Sequence, residues 1–276
     1  MPIPLEDLCN DVVSKSMRGL GLSDAHVATK AGVNVEAVAA AKSGTADDAV
    51  LLKIAPVLQL DGPALVTMAH AAWAPLDIQL DGLAQFNTTY HDMTVNAYLV
   101  WDTETKNAVA FDTGADASPM IEFIEKNGLN LSLIFITHTH GDHIHDLAKL
   151  SADGAVTSFV NEAEACSGAG VKTFKLGDTE SWETGSLRIE PRSTCGHSKG
   201  GITYVVRGLQ QPVAIVGDAL FASSMGGGMV SYADALATNR MEIFTLPDNT
   251  IVCPGHGPLT TVGEEKEHNP FYPEFK

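Results

Sequence analysis

The strongest chemical signal in the chain is the run Thr137-His138-Thr139-His140-Gly141-Asp142-His143. It follows Leu131–Ile136, an apolar run that reads as a strand. Residues i and i+2 of an extended segment project to the same side, so His138 and His140 can face one ion. Asp142 and His143 come where the chain turns into a helix and can face a second ion beside the first. Imidazole and carboxylate together suit Zn, Fe, Mn or Co. A histidine-rich turn without a metal explains one or two such residues; it does not explain three histidines and an aspartate packed this closely.

Other segments offer further donors. Val213–Val216 reads as a buried apolar strand, with Asp218 at the turn after it. A carboxylate at such a strand end is costly to bury without a cation. Pro254-Gly255-His256-Gly257-Pro258 is a stiff, turning loop suited to fixing one imidazole. Phe111-Asp112-Thr113-Gly114 stands before the histidine run, and Thr194-Cys195-Gly196-His197, Val216-Gly217-Asp218-Ala219-Leu220-Phe221 and the His256 loop come after it in that order. The set resembles the metallo-β-lactamase superfamily, whose HxHxDH signature the run matches. His197 lies 57 residues after His140, Asp218 a further 21, and His256 a further 38.

The resemblance implies an α/β fold of the αββα sandwich type. It also implies that His138, His140 and His197 hold one metal, that Asp142, His143 and His256 hold a second, and that Asp218 bridges them. Asp112 is expected to orient the ligand loop from behind. The implied reaction is hydrolysis of a thioester or ester carbonyl by a hydroxide bridging two divalent metal ions, with Zn expected and Fe or Mn as alternatives. Asp142 is expected also to orient that hydroxide or shuttle a proton. No Ser or Cys nucleophile is required.

Within the superfamily, Asn96–Val100, Gly217–Phe221 and the tail Gly255–Glu265 resemble glyoxalase II-type hydrolases, which act on hydroxyacylglutathione thioesters. The sequence runs only 20 residues past His256, as in a short glyoxalase II-like branch without a helical C-terminal domain. Two rivals share the resemblance: a mononuclear iron persulfide dioxygenase, which uses only part of the ligand set, and a lactonase. All seven positions are filled here, which favours the two-metal hydrolase. Several neighbours admit two readings each. Tyr90, His91 and Met93 form either a substrate loop or a hairpin tip; His145 faces either the pocket rim or solvent. Met225-Gly226-Gly227-Gly228-Met229 is a pocket wall or a plain loop, and Cys195 and Cys253 are redox-sensitive or merely packed.

The elements that must position these groups begin near Trp73. From there β-type runs (Val95–Trp101, Ala108–Phe111, Leu131–Ile136, Ile202–Val206, Val213–Val216) interleave with helical stretches near Pro119–Asn127, Ile144–Leu150 and Tyr232–Thr245. Such alternation indicates a layered α/β domain over 73–276. Residues 1–72 read as a small all-helical domain, with Ser23, Asn34 and Asp47 as helix caps, Gly32 as a stop, Pro63 near a helix start and a last helix running toward Trp73. Residues 22–65 resemble a repressor-type helix-turn-helix of the Cro and C1 class. Its recognition region, Asn34 to Lys42, is mostly Ala and Glu where base-reading side chains belong. Residues 1–72 carry five Lys and Arg against eight Asp and Glu, and the whole chain has a net charge of −17. Nucleic acid and anionic membranes are therefore not expected partners. A small-molecule substrate is, and so is a homodimer through the N-terminal helices. The opening Met1–Glu6 lacks a signal-peptide pattern, and the four cysteines form no framework, so a cytoplasmic location is expected.

Overall fold

The structure is a computed structural model that describes residues 3–45, 47–178 and 180–276. Five helices come first: α1 (Cys9–Leu20), α2 (Asp24–Ala31), α3 (Val35–Lys42), α4 (Asp48–Ile54) and α5 (Gly62–Ala69). Local chemistry sets their ends. Ser23, Asn34, Asp47 and Asp61 each accept a backbone N–H from the first turn of the helix that follows. Gly21 and Gly32 close α1 and α2 in the left-handed conformation. The last helix stops at Ala69, short of Trp73. Ala71 there takes a positive φ, which ends the helix, and Trp73 stacks instead on His268 at 4.4 Å.

Two sheets follow among the described residues. The first runs in strand order β1 (Leu83–Tyr90), β2 (Met93–Trp101), β3 (Asn107–Phe111), β4 (Asn130–Phe135), β5 (Thr157–Asn161) and β6 (Val171–Phe174). The second contains β7 (Trp182–Thr184), β8 (Leu187–Ser193), β9 (Ile202–Arg207), β10 (Val213–Gly217), β11 (Ile251–Pro254) and β12 (Thr260–Thr261), each beside the next. Strands β3 to β6 are parallel, as are β10 and β11; the other pairs are antiparallel.

Alternation along the strands sorts the core into layers. Tyr204 and Val206 of β9 point between the sheets with Phe111, Phe135 and Ile215, whereas Val205 faces the other way. Helix α6 (Ser118–Asn127) and the short helix α8 (Leu147–Leu150) cover the outer face of the first sheet through Met120 and Leu150. The outer face of the second sheet is covered by α9 (Tyr232–Thr238), α10 (Val262–His268) and the N-terminal helices together. Val12, Val27, Val38, Leu51, Ile54 and Leu65 share one apolar cluster with Val205, Ala214, Val216 and Val252. The result is the expected αββα sandwich, with the N-terminal helices built into one of its outer layers.

Two helical stretches are interrupted. The stretch near Ile144–Leu150 divides into α7 (Gly141–Ile144) and α8. Between them, the Asp146 backbone N–H donates to Thr113 Oγ1, and the Asp146 carboxylate accepts from the Ala117 N–H at 2.8 Å. These tertiary bonds replace helical ones. The stretch near Tyr232–Thr245 passes from α9 into a π-helical turn, Asn239–Ile243, where the buried Asn239 amide donates to the Ala219 carbonyl and to Tyr272 Oη.

Candidate metal centre

The expected site residues all sit at strand ends. Asp112 follows β3, His138 to His143 follow β4, His197 precedes β9, Asp218 follows β10 and His256 follows β11. Both sheets therefore feed one end of the sandwich. The structure brings His138, His140, His197 and Asp218 into one group and Asp142, His143 and His256 into another, with the donor atoms of each group within 4.8 Å of one another. Asp218 lies between the groups. Its Oδ2 is 3.3 Å from His197 Nε2 and 3.5 Å from His256 Nε2, while its Oδ1 is 3.3 Å from His143 Nε2. Asp142 Oδ2 is 3.3 Å from His256 Nε2 and 3.5 Å from His143 Nε2.

Three of the imidazoles are oriented by what their other nitrogen meets. His143 Nδ1 is 2.8 Å from Asp112 Oδ2, His256 Nδ1 is 2.6 Å from the Thr94 carbonyl, and His197 Nδ1 is 2.9 Å from the Gly227 carbonyl. Asp112 also accepts from Thr137, through its N–H at 2.8 Å and its hydroxyl at 2.7 Å. This carboxylate thus holds the start of the ligand loop and one of its histidines at once. Its φ of 56° is a left-handed conformation rarely adopted by a non-glycine residue, strain of the kind stored at functional sites. Gly255 leaves room for the carboxylate between the groups, since a Cβ there would stand 2.2 Å from Asp218 Oδ1.

The electrostatics of the two groups differ. Burial disfavours charge on His143, but the carboxylates of Asp218 and Asp112 outweigh it and lift its pKa to about 10. Burial is likewise overcome at His256, where Asp218 and Asp142 lift the pKa to about 11. At His138 and His197 burial prevails and pushes the pKa down. Burial opposes ionisation of Asp218, yet the neighbouring His143 and His256 hold its carboxyl far below the ordinary range.

A metal fits this donor set. His143 Nε2 and Asp218 Oδ1 are buried and, although 3.3 Å apart, meet no partner among the described residues in hydrogen-bond geometry. Buried polar atoms are nearly always paired, and two orphans aimed at one another's neighbourhood among five imidazoles and two carboxylates are what a cation would satisfy.

Around the rim, Tyr90 ends β1 and forms edge contacts with His91 and His145, at centroid distances of 4.5 and 5.4 Å. His145 is exposed, as are His140 and Met93. Cys195 is half-buried, and Cys253 is buried between the sheets. Two features escaped sequence reasoning. Glu164, in the turn after β5, accepts hydrogen bonds from Thr139 and Gly200, in the loops that carry His138, His140 and His197. Asp7 and Lys15, paired with each other at the N-terminal end, reach the turn after Asp218: Asp7 accepts from the Ser224 hydroxyl, and Lys15 donates to the Met225 carbonyl at 2.8 Å. No spacing rule links residues so far apart in the chain.

Comparison with known proteins agrees with this geometry. The hydroxyacylglutathione hydrolase GloC of Haemophilus influenzae is 29% identical over 197 residues, covering 64% of this chain and 92% of that protein. The mitochondrial persulfide dioxygenase ETHE1 of Mus musculus is also 29% identical, over 187 residues, covering 63% of this chain and 69% of that one. Among solved structures, TTHA1623 in a di-iron-bound form superposes with a TM-score of 0.54 at 25% identity, covering 67% of this chain and 99% of its own. The family model for the metallo-beta-lactamase superfamily matches residues 92–256, which include the whole constellation from Asp112 to His256. With both sheets and all the motifs in place, the chain belongs to the metallo-beta-lactamase superfamily.

Proposed function

We propose that the protein is a binuclear metal-dependent hydrolase acting on a thioester or ester of a small molecule, of the glyoxalase II type. The observation that carries this reading is Asp218, one carboxylate with an oxygen toward each of two complete donor groups. His138, His140, His197 and Asp218 would hold one divalent ion, and Asp142, His143, His256 and Asp218 a second. Two such ions would supply a water acidic enough to ionise near neutral pH and an electrophilic pull on a carbonyl oxygen. The chain's own residues do the rest. Asp142 is held ionised at neutral pH: burial works against its charge, and His256 and His143 overcome it. It can therefore accept a proton beside His256. The exposed His140 and the Tyr90–His91–His145 cluster mark the side from which substrate enters.

The similarity to GloC supports an acylglutathione thioester as substrate, and the similarity to ETHE1 supports an iron dioxygenase acting on a persulfide as the second reading. Nucleic acid fits neither. The exposed positions of α3 are Val35, Glu36, Ala39 and Lys42, and Lys42 is paired with Asp24 at 2.8 Å, which supports a helix-turn-helix-like segment without DNA-binding function. Metal analysis with parallel assays separates the enzyme readings. The hydrolase reading expects thioester hydrolysis that chelation abolishes. Oxygen uptake with glutathione persulfide in iron-loaded protein, without thioester hydrolysis, would replace it with the dioxygenase.

A further inference from the structure

Glu164 lies outside every motif that carries the family resemblance. Its backbone N–H donates to the Asn161 carbonyl at 2.9 Å, which fixes it in the turn after β5. Its carboxylate reaches two other loops. Oε2 accepts from the Thr139 N–H at 3.1 Å and from the Thr139 hydroxyl at 2.7 Å; Oε1 accepts from the Gly200 N–H at 2.6 Å. Thr139 is the residue between His138 and His140, and Gly200 lies just past His197.

We propose that Glu164 is a positioning residue that ties the His138–His140 loop to the His197 loop and so sets the geometry of the His138/His140/His197 donor group. The two loops hang from different sheets, Thr139 after β4 and Gly200 before β9, so a bridge between them controls how far apart their imidazoles stand. Bonds to an ionised carboxylate are about twice as strong as neutral ones. The group needs such support. Among the described residues, His140 makes no hydrogen bond to a carboxylate or a carbonyl; its Nδ1 meets only His138 Nε2 and His197 Nε2, each at 3.0 Å. The direction of its ring therefore depends on the backbone at Thr139, which Glu164 holds. The fit is close: a Cβ on Gly200 would stand 2.9 Å from Glu164 Cγ and 3.0 Å from Ala163 Cβ. Asp112 plays the matching part for the other group, through Thr137 and His143.

This inference rests on the metal-centre reading, and the test separates the two. Full-length wild type, Glu164→Ala, Thr139→Val and Thr139→Ser are titrated with Co(II), followed by visible absorption and chelator competition, and the metal-free proteins are melted. Wild type is expected to bind two ions. In Glu164→Ala one ion should bind about 10- to 100-fold more weakly, with a spectral change in the bands altered by His197→Ala and not in those altered by His256→Ala. Thr139→Val should give a smaller change of the same kind, and Thr139→Ser should restore the wild-type spectrum, which tests the clamp even where Glu164→Ala folds poorly. Unchanged affinity and spectrum in both Glu164→Ala and Thr139→Val overturn the proposal, as does an equal loss at both groups that simply follows a lower melting temperature. Wild-type protein that binds no Co(II) overturns the metal-centre reading itself.

Discussion

The His138/His140/His197 group and the Asp142/His143/His256 group stand side by side on Asp218 and are held in opposite ways. The first is open: His140 is exposed, and the His197 side chain is 13% exposed. The second is nearly sealed, with the side chains of His143 and His256 at 0% and 3% and only Asp142 reaching 11%. In the open group burial keeps His138 and His197 neutral, ready to donate lone pairs. In the sealed group the carboxylates keep His143 and His256 protonated in the metal-free protein. An ion entering the sealed group must expel protons that already balance the carboxylates; His138 and His197 of the open group hold none to expel. If each group takes one ion, as proposed, two sites of similar composition would differ in affinity and in pH response.

Removing the shared residue should have the largest effect. Asp218→Ala takes a donor from both groups, and the loss of several kcal/mol of charge stabilisation corresponds to at least about a 1,000-fold fall in kcat/KM. Elemental analysis should show both ions weakened together; a variant that keeps two tight ions would contradict the bridging position. Asp112→Ala should come next. It strips partners from the buried Thr137 N–H and His143 Nδ1 and is expected to cost about 3 kcal/mol in urea unfolding. It should weaken the sealed group more than the open one, so equal weakening would erase the distinction.

Proton release tests the contrast without mutation. Loading two ions at pH 7.5 should release a proton from each of His143 and His256, because both pKa values lie well above that pH. Affinity should accordingly rise with pH from neutrality toward 10. The dependence of calorimetric heat on buffer ionisation enthalpy measures this, and no net release would show that the sealed histidines are neutral before metal arrives.

A contrast outside the donor groups concerns Glu265 in α10, a buried carboxyl that accepts from the Ser223 N–H and Asn269 and so braces the turn after Asp218. Burial pushes its pKa up from 4.5 to about 8. Between those values the unfolded chain has lost a proton that the folded chain keeps, so this group's contribution to stability is full below pH 4.5 and is lost as pH rises through 8. Glu265→Gln lacks that dependence. Relative to wild type it should gain stability on the order of a few kcal/mol between pH 5 and pH 9; parallel stability curves for the two proteins would contradict a buried, protonated Glu265.

Much of this was legible in the sequence, for local reasons. Ser23, Asn34 and Asp47 act as caps because capping needs only a side chain and the next turn. The strands ending before Asp112, His138 and Asp218 were readable because buried strands are apolar runs cut off by turns. The seven donors converge because each sits at such an end. What stayed hidden depends on distant packing. The N-terminal helices have ordinary apolar faces, and nothing in their periodicity says that Val12 and Leu51 would share a core with Val216 of β10. Glu164 reads as one polar residue in a turn, since its partners, Thr139 and Gly200, are brought to it only by the pairing of two sheets.

The most direct test of the two-group account is stepwise reconstitution. Protein stripped by a chelator is reloaded with Zn(II), and bound metal and thioester hydrolysis are measured at each addition. The account predicts two ions per chain at saturation, with activity appearing as the second is taken up. Full activity with one ion per chain, or with none, would contradict it.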